Sequence, residues 1–295
     1  MTRASLAGAP LLLIGTLTPA SSANQPQHPP DVFRIGLALA DLKTGLIVAR
    51  SQDRATAGTV NASPTPYYQE SPTWHVDATL AGYVRACQPG SGAGDPVDPA
   101  YLERLPAAAV LNEATLAYDA RHYAEAYRLF HEAGTIADPD DLRVLNGLYL
   151  TSLRLGRTGE ARAAFERIVD VGLNSKRLML KLPFVPGTTN LAGGRGLSGQ
   201  YDMWLRAVAA QAARRGACVQ VIGHASHSGA ATLNDALSLK RARAVESRLE
   251  RDARTLAGRL SSEGRGFREN LVGTGTDDPR DALDRRVEFR VVDCR

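Results

Sequence analysis

The chain has 295 residues, of which 44% are hydrophobic and 22% are charged, with a formal net charge of +4 at pH 7. These values are ordinary for a soluble globular protein and leave room for two or three small domains. The sequence has no dense run of lysine and arginine interleaved with aromatic residues, so nucleic-acid binding is not expected. The mild positive charge is compatible with an anionic polymer or a membrane surface as partner.

The first residues resemble a secretory leader. Arg3 precedes an apolar run over residues 6–17, and small residues follow up to Ala23. This layout predicts a signal peptide over residues 1–23 and a mature chain outside the cytoplasm. Because Gly8 interrupts the run, it is too short and too broken for a spanning helix, although an uncleaved anchor remains the alternative.

Residues 31–87 are predicted to form a small β-containing domain. An apolar alternation ends at a turn, and an apolar run resumes at Leu46, which indicates a β-hairpin. Residues 88–100 are rich in proline and glycine and are predicted to be a linker. The alternating apolar residues of the first strand are Phe33, Ile35, Leu37 and Leu39.

Residues 106–172 are strongly helical in pattern and contain an internal repeat. Ala126 and Phe130 recur 35 residues later as Ala161 and Phe165. A small residue followed by an aromatic one a turn later, at this period, resembles the tetratricopeptide repeat family. The resemblance implies α-hairpins whose groove binds an envelope protein partner, and a plain helical spacer is the alternative.

Residues 176–295 are predicted to form a two-layer α/β sandwich with the order strand, helix, strand, helix, strand, strand. The third strand is expected within residues 269–275 and the last within residues 285–294. Of the three cysteines, Cys218 begins one predicted strand and Cys294 ends another, so antiparallel neighbours would bring them together. We expect this disulfide in an exported chain, with Cys87 left as a free thiol.

The second helix of this section, expected over residues 232–256, carries a cation on its apolar stripe. Arg241 stands where an apolar residue was due, and its guanidinium needs an acidic partner or an opening to solvent. The alternative is that Arg241 extends outward over the core. Thr232 and Asp235 predict a capping box at the helix start. The stripe is predicted to contain Leu233, Leu237, Ala244, Val245 and Leu249.

Four motifs stand in a fixed order in this section. They are GH-x-S-x-x-G from Gly223, N-x-x-LS from Asn234, RA from Arg241 and DRRVEF from Asp284. In this order they resemble the OmpA C-terminal domain family over about the last 120 residues. The resemblance implies a periplasmic, non-catalytic protein that binds peptidoglycan noncovalently, with association with the outer membrane.

The resemblance also implies a ligand-binding site. In that family a helix arginine binds the carboxylate of diaminopimelate in the stem peptide, and a loop aspartate binds its amino group. Arg241 occupies the arginine position and Ser226 the aspartate position, with Asn234 and Arg285 in support. A serine supplies no charge, which costs on the order of 1–3 kcal/mol of binding free energy. The alternative is an envelope scaffold whose OmpA-like domain is degenerate and does not bind cell wall.

Two kinds of chemistry are not expected. His224 and His227 are three residues apart on a strand-to-loop segment, which does not direct both rings to one ion, so no metal site is predicted. Ser226 lies near His224, but the loop lacks the G-x-S-x-G elbow of serine hydrolases. The sequence therefore predicts no enzyme and no cofactor.

Overall fold

The computed structural model describes residues 10–19, 32–56, 64–73, 78–88, 90–182, 184–185, 187–191, 195–270 and 284–294. It confirms a mixed α+β fold. The elements are β1 Leu11–Pro19, β2 Val32–Asp41, β3 Leu46–Thr56, α1 Pro66–Glu70, α2 Ala78–Ala86, α3 Pro99–Asp119, α4 Tyr123–Ile136, α5 Leu142–Arg154, α6 Thr158–Asn174, β4 Arg177–Leu180, α7 Arg195–Arg214, β5 Cys218–Gly223, α8 Ala231–Asp252, a 3₁₀ turn Arg254–Leu256, β6 Leu260–Gly264 and β7 Val287–Val292.

Contacts divide the chain into two compact units. The first contains residues 1–62 and 75–144, and the second contains residues 63–74 and 145–295. The domain limits drawn from the sequence remain predictions. No helix among the described residues combines the length and the apolar character needed to cross a membrane.

The first unit contains an antiparallel sheet in the order β1, β2, β3. The pairing of β2 with β3 confirms the predicted hairpin. Strand β1 pairs with β2 over its whole length, and its residues 11–17 fall within the apolar run predicted as the core of a signal peptide. The predicted cleavage site after Ala23 lies outside the described residues. The inner face of this sheet is buried through Ile14, Ala38, Ala40 and Ile47.

The segment predicted as a linker packs against the start of β3. Ile47 donates its N–H to Asp95 O at 2.9 Å and accepts from Gly94 N at 2.7 Å. Val97 is 2% exposed and joins the core of the first unit. Helix α3 begins directly afterwards, where the side chain of Asp98 accepts a hydrogen bond from Ala100 N at 2.9 Å.

The repeated residues of the helical section occupy equivalent places. Arg121 before α4 and Gly156 before α6 both adopt positive φ, at 63° and 72°. These turns are again 35 residues apart. The similarity to tetratricopeptide repeats stays a resemblance. The four residues that define the repeat, all fully buried, are Ala126, Phe130, Ala161 and Phe165.

The second unit contains a mixed sheet in the order β4, β7, β5, β6. Strand β7 is antiparallel to β4 and β5, and β6 is parallel to β5. The chain order of strands and helices confirms the predicted strand and helix sequence, and the Cys218–Cys294 disulfide and the buried free Cys87 are confirmed as well. The third described strand, however, is Leu260–Gly264, and residues 271–275 of the predicted one lie outside the described residues. It is short and partly exposed at a sheet edge, so it lacks the apolar alternation that marks inner strands.

Helix α8 lies unusually close to this sheet because two glycines face it. A Cβ at Gly223 would lie 2.1 Å from Ser238 O, and one at Gly264 would lie 2.6 Å from Leu239 N. Side chains at these glycine positions would push the helix away. The close approach fixes which face of α8 meets the sheet.

Candidate ligand-binding site beside helix α8

The buried stripe of α8 begins with polar residues. Leu233, predicted to face inward, is 71% exposed. The predicted capping box is also wrong, because the helix is preceded by Ala230 without a side-chain cap and Asp235 instead binds Arg268 at 2.7 Å. Close packing against the two sheet glycines favours small and polar residues on the inner face. The buried residues are Asn234, Ser238, Arg241, Ala242, Val245 and Leu249.

Arg241 is 2% exposed, so its side chain does not extend outward over the core. Among its contacts, Nε donates to Thr188 O at 3.1 Å and Nη2 donates to Val185 O at 3.5 Å. The guanidinium carbon lies 4.7 Å from the centre of the Phe184 ring, which is cation–π geometry. A permanent positive charge is therefore held inside the protein, beneath the segment that contains these three residues.

The loop that follows β5 is tied to the start of α8. Asn234, 7% exposed, donates from Nδ2 to Ser228 O at 2.7 Å and to Ala230 O at 3.3 Å. Ser226 is 5% exposed, and its hydroxyl lies 3.4 Å from that of Ser228. Ser228 thus lies between the two residues, because its carbonyl accepts from Asn234 on α8 and its hydroxyl lies beside that of Ser226. Ser226 offers a hydroxyl, and no carboxylate, at the position where the family has an aspartate.

The two arginines of the DRRVEF motif, Arg285 and Arg286, lie in different environments. Arg286 is 2% exposed and donates from Nη2 to Glu288 Oε1 at 2.8 Å. Arg285 is only partly buried, just before β7. Arg286 therefore forms a buried ion pair inside the domain, and Arg285 remains the predicted site residue of the two.

Glu288 is the centre of a buried charge cluster that the sequence analysis missed. It is fully buried and accepts hydrogen bonds from Arg177, Arg286 and Arg290. Burial alone would raise the pKa of Glu288, but hydrogen bonds from Arg177 and Arg286 lower the pKa to about 2. The signal available in the sequence was an acid placed between apolar residues of the last strand.

His224 lies at the edge of this cluster. Neither ring nitrogen has a hydrogen-bond partner among the described residues, although Nε2 is 3.5 Å from Glu288 Oε1. Burial and, after it, the charge of Arg286 lower the pKa of His224 to about 3, while the charge of Glu288 acts in the opposite direction. The imidazole is therefore neutral at physiological pH.

Ligand atoms of His224, Glu269 and Glu288 lie within 4.8 Å of one another, which is a spacing suited to a metal ion. The two carboxylates, however, are already bonded to guanidinium groups. Arg265 and Arg290 contact Glu269 at 3.6 and 3.7 Å, and further arginines surround Glu288. A divalent cation would face these positive charges at short range, so the cluster favours structural ion pairs over a metal.

Residues 184–283, about a third of the chain, match the model of the OmpA family. These residues form an OmpA family domain. Similar solved structures include an outer membrane protein from Borrelia burgdorferi B31, with 19% identity, 40% of this chain and 88% of that chain covered, and a TM-score of 0.30. The cell wall anchor of the T6SS from Pseudomonas aeruginosa shows 23% identity, 43% and 95% coverage, and a TM-score of 0.33. The periplasmic domain of Helicobacter pylori MotB shows 14% identity, 39% and 74% coverage, and a TM-score of 0.32. No curated protein matches the sequence.

Proposed function

We propose that the chain is a non-enzymatic cell-envelope adaptor that binds peptidoglycan noncovalently through Arg241. One observation supports this proposal: in an OmpA family domain, the Arg241 guanidinium is held by oxygen acceptors, the carbonyls of Val185 and Thr188. The diaminopimelate carboxylate offers the same kind of acceptor with a negative charge. Charge-assisted hydrogen bonds are roughly twice as strong as neutral ones, so the carboxylate is the better partner.

Three further residues contribute to ligand binding in this proposal. The hydroxyl of Ser226 accepts a hydrogen bond from the diaminopimelate amino group, and Asn234 holds the loop that carries Ser226. Arg285 supplies a second positive charge near the ligand. Because Ser226 has no charge, the affinity is lower than an aspartate would give, by about 5- to 150-fold for about 1–3 kcal/mol.

A second candidate function is an envelope scaffold whose OmpA family domain does not bind cell wall. The low exposure of Arg241, at 2%, favours this alternative. In it, the helical repeats and the N-terminal unit carry the function through protein contacts alone.

Cosedimentation with isolated sacculi tests the proposal. The wild-type protein is expected to pellet with sacculi, and Arg241→Ala is expected to remain in the supernatant. Arg243→Ala is the matched control, because Arg243 is exposed on the same helix, and it should pellet as the wild type does. If the wild-type protein does not bind, the peptidoglycan proposal is refuted and the scaffold is left.

We also propose that the tetratricopeptide-like region, residues 106–172, docks an envelope protein in the periplasm, with association with the outer membrane. Exposed apolar side chains support this, since Leu116 on α3 is 60% exposed and Ile136 on α4 is 48% exposed. A photo-crosslinking residue in place of Leu116 should give a discrete product in cells. Absence of any discrete product at this position would contradict docking through the Leu116 surface.

A further inference from the structure

We propose that residues 184–185 and 187–191 act as a strap that closes the Arg241 site in the absence of ligand and must withdraw before a carboxylate can bind. The name strap refers to the described residues 184–185 and 187–191. This inference rests on the proposed function, because it concerns access to the same guanidinium.

The strap is a loop whose ends are joined. Phe184 and Leu191 form an antiparallel bridge, and Val185 N donates to Asn190 O at 2.8 Å. The hydroxyl of Thr188 links the two sides, because it donates to Val185 O at 3.1 Å and accepts from Asn190 N at 3.1 Å. The loop therefore holds its own shape through a few hydrogen bonds.

The position of the strap puts it between solvent and Arg241. Val185 is 40% exposed, whereas Arg241 is 2% exposed. The carbonyls of Val185 and Thr188 accept from Nη2 and Nε, which are the donors that a bidentate carboxylate uses. Strap and ligand therefore compete for the same atoms.

This competition predicts how affinity depends on the strap. When only the open fraction of molecules binds, the apparent dissociation constant equals the intrinsic constant divided by that fraction. A change that weakens the closed strap, while leaving Arg241 intact, then tightens binding. A strap with a purely structural role would give unchanged or weaker binding for the same change.

Two substitutions weaken the closed strap. Thr188→Val keeps the side-chain shape and removes the hydroxyl that links its two sides. Gly187→Ala places a side chain at φ 70°, a left-handed conformation that favours glycine. Each is expected to tighten binding about fivefold, the effect of one neutral hydrogen bond or one strained residue on the closed state. Thr158→Val, at an exposed position at the start of α6, is the matched control.

The experiment measures binding of a soluble diaminopimelate-containing muropeptide to the full chain by calorimetry. Tighter binding by both strap variants, with Thr158→Val equal to the wild type, is the expected result. Wild-type binding that Arg241→Ala abolishes but that neither strap variant tightens overturns the strap alone. Absence of binding by the wild type and both variants overturns the strap and the proposed function together.

Hydrogen exchange in the wild-type protein gives a second measurement that needs no variant. The Val185 amide, bonded to Asn190 O in the closed strap, should exchange faster when muropeptide is bound. Unchanged or slower exchange at this amide, with muropeptide bound, overturns the withdrawal of the strap.

Discussion

The two sheets of this protein differ in how the polarity of side chains relates to their burial along the strands. In the sheet of the first unit, one face buries Ile14 and its neighbours, while the other leaves Leu13 and Leu17 65% and 55% exposed. In the sheet of the second unit, Val221 and Phe289 form an apolar face, and Glu288 alternates with them yet is also fully buried. In the first sheet apolar residues therefore lie on both the buried and the exposed face. In the second sheet a charged residue lies on a buried face.

The difference shows what specifies each sheet. The second unit buries a carboxylate because several guanidinium groups bond to it, so one residue links strands β4 and β7. The first unit has no comparable ion cluster among its described residues and depends on apolar packing. Substitutions in the two sheets should consequently fail in different ways.

The largest effect is expected from Glu288→Ala. It leaves Arg286, which is 2% exposed, without its carboxylate partner. Breaking a buried ion pair by removing one partner costs about 3–5 kcal/mol of folding free energy. Urea denaturation followed by the fluorescence of Trp204, in a Trp74→Phe background, measures this loss in the second unit.

The control for this prediction is Asp293→Ala, an exposed acid just after the same strand. It should change the free energy of unfolding by less than about 0.5 kcal/mol. Equal losses for Asp293→Ala and Glu288→Ala would mean that the cluster has no special role in the sheet.

The next effect separates the two faces of the first sheet. In the chain that retains residues 1–23, Ile14→Asn places an amide in the apolar core and should destabilise the first unit by about 3 kcal/mol, because it removes buried apolar area and buries a polar group. Leu13→Asn, the same kind of change one residue earlier on the exposed face, should cost less than about 0.5 kcal/mol. Hydrogen exchange of β2 amides reports both values, and similar losses would show that the assignment of faces is wrong.

The third effect concerns the disulfide, which joins residues 76 apart in the second unit. Cys218→Ser combined with Cys294→Ser should lower the free energy of unfolding of that unit by about 2–4 kcal/mol, because the cross-link restricts the unfolded chain. The first unit should be unaffected, since its cysteine, Cys87, is a free thiol. A loss that appears equally in hydrogen exchange of β2 would argue against a unit-specific effect.

The sequence predicted those parts of the fold that local pattern determines. Alternation and turn residues identified the β2–β3 hairpin, helical periodicity identified α8, and strand ends identified the Cys218–Cys294 pair. Spacing placed Arg241 on the inward stripe, and it left open whether the side chain extends outward over the core. These features depend on neighbours within a few residues or on strand order.

The parts that the sequence did not predict depend on contacts between distant segments. The inward stripe of α8 starts with Asn234 and Ser238 because Gly223 and Gly264 bring the helix onto the sheet, which no spacing within the helix reveals. The cover of Arg241 comes from Val185 and Thr188, more than fifty residues earlier in the chain. The charge cluster around Glu288 likewise requires the sheet order to be known.

The smallest expected effect is a pH dependence that belongs to the second unit. The pKa of His224 is about 3 in the folded protein and 6.5 as its ordinary value, so the unfolded chain binds a proton first as the pH falls. Stability is therefore full above pH 6.5 and is lost below it, by about 2 kcal/mol at pH 5. Glu288, with its pKa lowered from 4.5 to about 2, adds a further loss only below pH 4.5.

His224→Gln tests this assignment, because glutamine does not titrate. The variant should be less dependent on pH between 6.5 and 5 in denaturation followed by Trp204, whereas His227→Gln should keep the wild-type slope. His227 is partly exposed and packs its ring 4.2 Å from that of Phe267, so it shares the loop but not the burial of His224. If both variants keep the wild-type slope, the acid sensitivity of the second unit comes from groups other than the buried imidazole, and the contrast between the two sheets loses its electrostatic part.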